Sequence, residues 1–225
     1  MKNILITGAN RGLGLEFVKQ FQNRNNTIIA TSRHDKNCVE LKKIKDIKLL
    51  QLDLISDQSI DHFVKNIGHE PIDLIINNAG IFHDEQFKND LDSTLWQEEI
   101  LINAISPIIL TRKLKKNILS GIDKKIVFIS SQMGSIDDNY SGSNYFYRSS
   151  KAALNASAKS LAIDWKNCNL AVLMLHPGWV KTDMGGDGAK LSISESVQQM
   201  ITIINNFSIE QTGSFLNYAG EKLEW

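Results

Sequence analysis

Seven short runs rich in β-branched residues recur along the chain, at 3–7, 27–31, 47–52, 72–76, 125–130, 171–176 and 214–217. Between them lie six stretches with helical periodicity, near 12–24, 36–45, 57–67, 93–118, 144–166 and 193–205. This alternation restricts the fold more than any other feature. In the first stretch Leu13, Phe17, Val18 and Phe21 recur at the spacing of a helix with one buried face. The runs are apolar at successive positions, so as strands they are covered on both sides. The prediction is an α/β fold: a doubly wound parallel sheet with helices on both faces. Ser56 and Asp92 stand where N-caps belong, and Pro107, inside the fourth stretch, predicts a bend by removing one backbone donor. Sheets of this kind take ligands at the carboxyl ends of their strands, so the loops there are where chemistry is expected.

Composition excludes several classes. A chain of 225 residues can bury one core without disulfide or metal staples. Residues 1–225 show no repeat, low-complexity tract or linker, and one domain is expected. Lys+Arg and Asp+Glu balance at 25 each, so no global basic field would recruit nucleic acid or anionic lipid. The longest unbroken apolar run, Leu170 to Leu175, is far short of the about 20 residues that span a bilayer. The strand pattern begins at Ile4 and leaves no room for a signal peptide, so a cytoplasmic protein is expected. Cys38 and Cys168 form no CxxC pair, His34, His62, His69, His83 and His176 are scattered, and no metal site is expected.

The first strand-to-helix loop reads Thr7-Gly8-Ala9-Asn10-Arg11-Gly12-Leu13-Gly14. Glycines there permit a tight turn and let a pyrophosphate lie against the backbone at the helix N-terminus. The spacing GxxxGxG differs from GxGxxG, and no Lys-Ser/Thr follows, which excludes a P-loop. Alone, such a loop is equally a turn with no ligand. Further on, Tyr147 and Lys151 stand four residues apart in a helical stretch, sharing one face about 6 Å apart along the axis. An ammonium beside a phenol favours phenolate, so the tyrosine pKa is expected to fall toward working pH, as suits a general acid for a carbonyl oxygen. Tyr140 and Tyr145 have Asn144 and Ser149 four residues on and are read as pocket wall or loop packing.

Together these elements resemble the short-chain dehydrogenase/reductase family, over the whole chain. Residues 7–14 match its TGxxxGxG loop, and Asn77-Asn78-Ala79-Gly80 its NNAG motif after the fourth strand. Asp53, ending the third strand, matches the acid at the adenine. Asn103, Ser131, Tyr147 and Lys151 match the catalytic set, the last two as YxxxK, and Pro177-Gly178 the PG after the sixth strand. The phrase from His176 to Met184 and the ending from Gly213 to Trp225 look like the subgroup of sniffer-type carbonyl reductases and C-factor-like proteins. The resemblance implies a Rossmann sheet of order 3-2-1-4-5-6-7. It implies a cofactor held by Gly8, Asn10, Arg11, Gly12, Leu13, Gly14, Arg33, Asp53, Asn77, Ala79, Gly80, Tyr147, Lys151, Pro177, Gly178, Val180 and Thr182. It further implies that Asn103 holds a water linking Lys151 to solvent, although Asn103 on its own also suits a kink carbonyl near Pro107. Ser131 would hydrogen-bond the substrate oxygen. Sixteen residues separate it from Tyr147, which suggests a small insertion at 132–144 and leaves Ser130 open as the acting hydroxyl.

Cofactor choice turns on charge at the end of the second strand, where an acid would select NAD(H). Thr31-Ser32-Arg33 offers none, and Arg33 and Arg11 both suit a 2′-phosphate, so NADP(H) is expected over NAD(H). The Gly-rich segment 181–192 is read as a substrate lid, with Trp179, Met184, Met133, Phe82 and His83 as pocket lining or ordinary packing. The reading is an NADP(H)-dependent carbonyl reductase/alcohol dehydrogenase acting on a small lipophilic carbonyl. Its rivals are a cofactor-binding sensor with little turnover and a methyltransferase; the latter wants the acid that Thr31-Ser32-Arg33 lacks. Ala152, Ala153, Ala156, Ala158 and Ala162 on the fifth helix permit close helix approach, and the family pairs its fourth and fifth helices across a two-fold axis. A homodimer or homotetramer is expected.

Overall fold

The computed structural model describes residues 2–22, 26–84, 90–186 and 188–225. Its strands are β1 (Asn3–Ile6), β2 (Thr27–Ser32), β3 (Ile47–Gln51), β4 (Leu74–Asn77), β5 (Lys125–Ile129), β6 (Ala171–His176) and β7 (Ser214–Asn217). They form one sheet of order β3-β2-β1-β4-β5-β6-β7, every pair parallel, as expected from the sequence. The helices are α1 (Gly12–Gln22), α2 (Val39–Lys42), α3 (Asp57–Ile67), α4 (Ser93–Ile100), α5 (Ser106–Lys113), α6 (Lys115–Ser120), α7 (Tyr145–Trp165) and α8 (Ile193–Asn206).

Period-two alternation sorts the strand residues onto two cores. Leu5, Ile29, Ile75, Ile126, Phe128, Val172 and Met174 pack with Phe63 of α3, Leu110 of α5 and Leu161 of α7. Their neighbours Ile4, Ile28, Ile76, Val127 and Leu173 face Phe17 of α1 and Met200 of α8. Truncating a fully buried ring such as Phe17 or Phe63 to Ala costs about 3–5 kcal/mol. Ser56 Oγ accepts from the Ser59 N–H, and Asp92 Oδ1 from those of Thr94 and Leu95, so both caps stand where expected.

Three elements depart from the sequence reading. The stretch 93–118 is helical through Pro107 but not regular: α4 passes through a π-helical turn, Leu101–Ile105, into α5, which holds Pro107 in its first turn, and the helix breaks at Leu114 before α6. Proline lacks the N–H that would continue the ladder and its ring crowds the preceding turn, and the extra residue of the π turn absorbs that misfit. The stretch 36–45 yields only a 3₁₀ turn, Asp35–Asn37, and the four residues of α2. Strand β4 begins two residues later than expected because Asp73 caps its entrance, accepting from the N–H groups of Asn3 at 2.7 Å and Ile122 at 2.6 Å. Residues 23 and 24 of the first expected helix lie outside the described residues.

The alanines of α7 divide. Ala158 and Ala162 are consumed by the core, and only Ala156 is fully on the outer face, near exposed Ile163 of the same helix. Among the described residues no helix is long and apolar enough to cross a membrane. No group of three His, Cys, Asp or Glu among them could hold a metal ion.

Candidate active site

The loops after β1 and β4 are knitted together at the top of the sheet. Thr7 Oγ1 accepts from the N–H groups of Asn78 and Ala79, and Asn78 Nδ2 donates to the carbonyls of Thr7 and Gly8. Gly8 is required there: its φ is +63°, and a Cβ would lie 2.8 Å from Ala79 Cα. Asn78, the linking residue, was not singled out from the sequence, whereas Asn77 was. Asn77 is buried at the end of β4 and donates to Thr111 Oγ1 of α5, so the structure turns its side chain into the protein.

Gly12 opens α1, and a Cβ built on it meets only Thr182 Cγ2, at 3.9 Å. The first turn of α1 carries no acid. An anion resting on this helix N-terminus would find open space and free positive dipole, so the residues present fit a dinucleotide pyrophosphate. Asn10 and Leu13 are half-buried beside it, and Gly14 is buried against the Gly8 carbonyl. Asp53 stands just past β3, one carboxylate oxygen accepting from the Ile55 N–H. Arg33 follows β2 with its side chain exposed. Arg11 instead reaches Asp183, at 2.5 Å. Beyond β6, Gly178 backs onto Tyr218, Val180 is buried and bridges Leu191, and the Pro177 carbonyl accepts from Ser196. Thr182 thus overhangs the glycine loop. Trp179 is largely exposed and donates from its indole to the Gly185 carbonyl, so it braces the segment 181–192; residue 187 of that segment lies outside the described residues.

The chemical group gathers above β5 and α7. Ser131 follows β5 and caps the 3₁₀ turn Gln132–Gly134, accepting from the Met133 N–H at 3.1 Å. Gly134 has no room for a side chain, since a Cβ would lie 2.8 Å from the Lys151 carbonyl carbon. That close approach seats the turn on α7 and sets Ser131 beside Tyr147, where its hydroxyl favours the phenolate. Ser130 is turned the other way, donating to Asn155 Oδ1 at 2.6 Å in the interior. Lys151 Nζ donates to the Ile129 carbonyl at 2.9 Å and lies 5.6 Å from the centroid of the Tyr147 ring. Asn103, in the π turn, donates to the Ile81 carbonyl and Ser150 Oγ and accepts from the Ile81 N–H. A Cβ on Gly80 would lie 3.1 Å from Asn103 Oδ1 and 3.7 Å from Lys151 Nζ.

The electrostatics differ from the expectation at Tyr147. Burial pushes its phenol above the ordinary 10, the Glu99 carboxylate adds to that push, and the nearby Ser131 hydroxyl opposes both. Burial draws Lys151 down to about 8, while Glu99 holds it up. The ammonium lies over the ring and bonds a carbonyl, so desolvation rather than Lys151 governs the phenol. Sequence reading missed Glu99. Its signal was available: a charged residue in an otherwise apolar helix face, four before Asn103. Tyr140 and Tyr145, read as packing, are 90% and 55% exposed.

A parallel sheet of this order, with a glycine loop after β1 and a Tyr–Lys pair on α7 beside β5, falls in the doubly wound nucleotide-binding class of folds. Within that class the chain belongs to the short-chain dehydrogenase family, whose model matches residues 2–190. It is an enzyme of that type. The chain is 34% identical to the carbonyl reductase Sniffer of D. melanogaster, with a TM-score of 0.94 and full coverage of both chains. It is 31% identical to an NADPH-bound carbonyl reductase from chicken fatty liver, with a TM-score of 0.92, covering 100% of this chain and 99% of that one. It is also 35% identical over 163 residues to the C-signal protein of Myxococcus xanthus, covering 72% of this chain and 98% of that protein.

Proposed function

We propose that the chain is an NADP(H)-dependent reductase of small carbonyl compounds. The observation that carries this reading is the convergence of Ser131, which opens the turn seated on α7, with Tyr147 and with Lys151, whose Nζ lies 5.6 Å from the Tyr147 ring centroid. It marks a point at which both hydroxyls could reach one substrate oxygen. Tyr147 gives that oxygen its proton, and Ser131 donates a hydrogen bond as charge gathers there. A raised phenol pKa suits the proton-donating direction, because the group stays loaded across the neutral range. Lys151 holds the nicotinamide ribose, and Asn103 orders a water that leads from Lys151 to solvent. A bound nicotinamide supplies the hydride.

The glycine loop, Asp53, Ala79, Gly80 and the stretch from Pro177 through Thr182 would hold the cofactor. The absence of an acid at the end of β2, the exposed Arg33 and the likeness to an NADPH-bound reductase support NADP(H) over NAD(H). Residues 1–225 as one catalytic domain, a homodimer or homotetramer, and a cytoplasmic setting belong to the same reading. Exposed Ala156, Ile163 and Ile105 support the assembly, which light scattering tests.

Likeness to a protein named C-signal favours a second reading, a cofactor-binding signalling protein with little turnover. Two variants separate them. Tyr147→Phe deletes one oxygen, so cofactor binding should survive while carbonyl reduction falls roughly 10²–10⁴-fold. Lys151→Met should weaken both. Reduction at the wild-type rate by Tyr147→Phe would remove the proposed proton donor. Tight NADPH binding by wild type with no reduction across a broad carbonyl panel would favour the signalling reading.

A further inference from the structure

The segment after Gly80 is laid along α4 by two side chains one turn apart. Asn103 holds both backbone groups of Ile81, and Glu99 Oε1 accepts from the His83 N–H at 2.5 Å. The residue between them, Phe82, therefore faces the other way, and its ring meets the edge of Tyr147 with centroids 5.3 Å apart and planes at 85°. Glu99 has no solvent-exposed surface. A carboxylate in that position carries an energetic cost that packing alone does not demand, since an apolar residue would fill the same helix face. His83 Nδ1 lies 3.2 Å from the same Glu99 oxygen, and His83 Nε2 lies 3.8 Å from Glu98 Oε2 nearer the surface. The imidazole is about a quarter exposed, so it forms the solvent side of the pair.

We propose that Glu99 is a positioning residue of the active site: from α4 it fixes the segment 81–83, and with it the Phe82 ring, against Tyr147, and sets a buried carboxyl behind the Tyr147–Lys151 pair. The inference rests on the reductase reading only for the role of Lys151 at the cofactor. Among the described residues the titratable groups facing the pair are Glu98 on α4 and Tyr147 and Lys151 on α7, and Asp84 follows His83 in the chain. A negative charge beside Tyr147 and Lys151 favours the protonated form of both. Burial works against that charge at Lys151 and with it at Tyr147, so Glu99 matters most for the lysine. The consequence is a site kept loaded with protons, biased toward donating one to a carbonyl oxygen.

Glu99→Gln tests this, because Gln keeps an oxygen for the His83 N–H and removes the charge. NADPH binding is followed by fluorescence across pH, which needs no turnover, alongside carbonyl reduction. Lys151→Met, which should lack the alkaline loss of binding, assigns that inflection to Lys151. The expected result is an alkaline inflection lower in Glu99→Gln than in wild type by about one pH unit, in binding and in reduction alike. Glu99→Asp, which keeps the charge, should restore the wild-type position. An unmoved inflection in Glu99→Gln overturns the proposal, even if activity falls at every pH, since that is what a purely structural residue would do. If Glu99→Gln does not fold, His83→Ala decides: stripping the imidazole from the Glu99 oxygen should move the binding inflection, and an unmoved one overturns the proposal. A wild type that binds NADPH but reduces no carbonyl sinks the reductase reading and leaves the binding inflection to judge Glu99.

Discussion

Arg11 Nη1 lies 2.5 Å from Asp183 Oδ2, joining the glycine loop to the segment after β6 across the mouth of the site. Both side chains are mostly exposed, so the pair itself contributes little to stability. Its interest lies in competition, since a 2′-phosphate would offer Arg11 a forked acceptor in place of one carboxylate. Asp183→Asn should therefore tighten NADPH binding modestly, by up to about fivefold at low salt, with the gain fading as salt rises. Fluorescence titration at two ionic strengths measures it. No gain at low salt means Arg11 does not face the phosphate.

Arg33 carries the stronger expectation for cofactor choice. Its side chain is exposed just beyond β2, with no acid before Asp35. Arg33→Asp should weaken NADPH roughly ten- to a hundredfold and NADH far less, the worth of one charged hydrogen bond plus repulsion. An unchanged ratio of the two dissociation constants would assign Arg33 to solvent.

Ser130 and Ser131 are neighbours with opposite orientations, and the two alanine variants should differ in kind. Ser131→Ala removes the hydroxyl beside Tyr147, and turnover should drop by about 10²–10³-fold with stability changed little. Ser130→Ala strands the buried Asn155 Oδ1 and should cost about 1–3 kcal/mol in a urea melt while sparing the chemical step. The reverse pattern would exchange their roles.

His176 makes stability depend on pH. Burial holds its imidazole down to about 4 from the ordinary 6.5, and no hydrogen-bond partner reaches its Nδ1 in the described structure. The unfolded chain takes up a proton near 6.5 and the folded protein does not, so stability is whole above 6.5 and is lost as pH falls toward 4. The loss attributable to this group is about 3 kcal/mol at most. Urea midpoints recorded between pH 4 and 7 should show that slope in wild type and a flatter one in His176→Gln. Equal slopes would place the acid sensitivity elsewhere.

What the sequence determined by itself was whatever local pattern fixes. Apolar runs without alternation specify strands buried twice over, and a 3.6-residue stripe specifies which side of α1 or α3 meets them. The doubly wound parallel sheet followed from those runs; its strand order, with Gly8 and Ser131 at strand ends and Asn103, Tyr147 and Lys151 on helices beside them, came with the motifs that carry the family resemblance. The tertiary structure decided what depends on neighbours distant in the chain. Two adjacent serines read alike in sequence, yet only packing of Gly134 on Lys151 directs Ser131 to Tyr147 and Ser130 to Asn155. Of the neighbours Asn77 and Asn78 the sequence reading took Asn77 for the site, yet the side chain that meets the loop after β1 is that of Asn78. The Tyr147 phenol was expected to be acidified by a lysine one turn away, but desolvation and a carboxylate from α4 set its charge, and neither is written in the spacing of one helix. Periodicity is a property of the chain; the dielectric around a side chain is a property of everything packed against it.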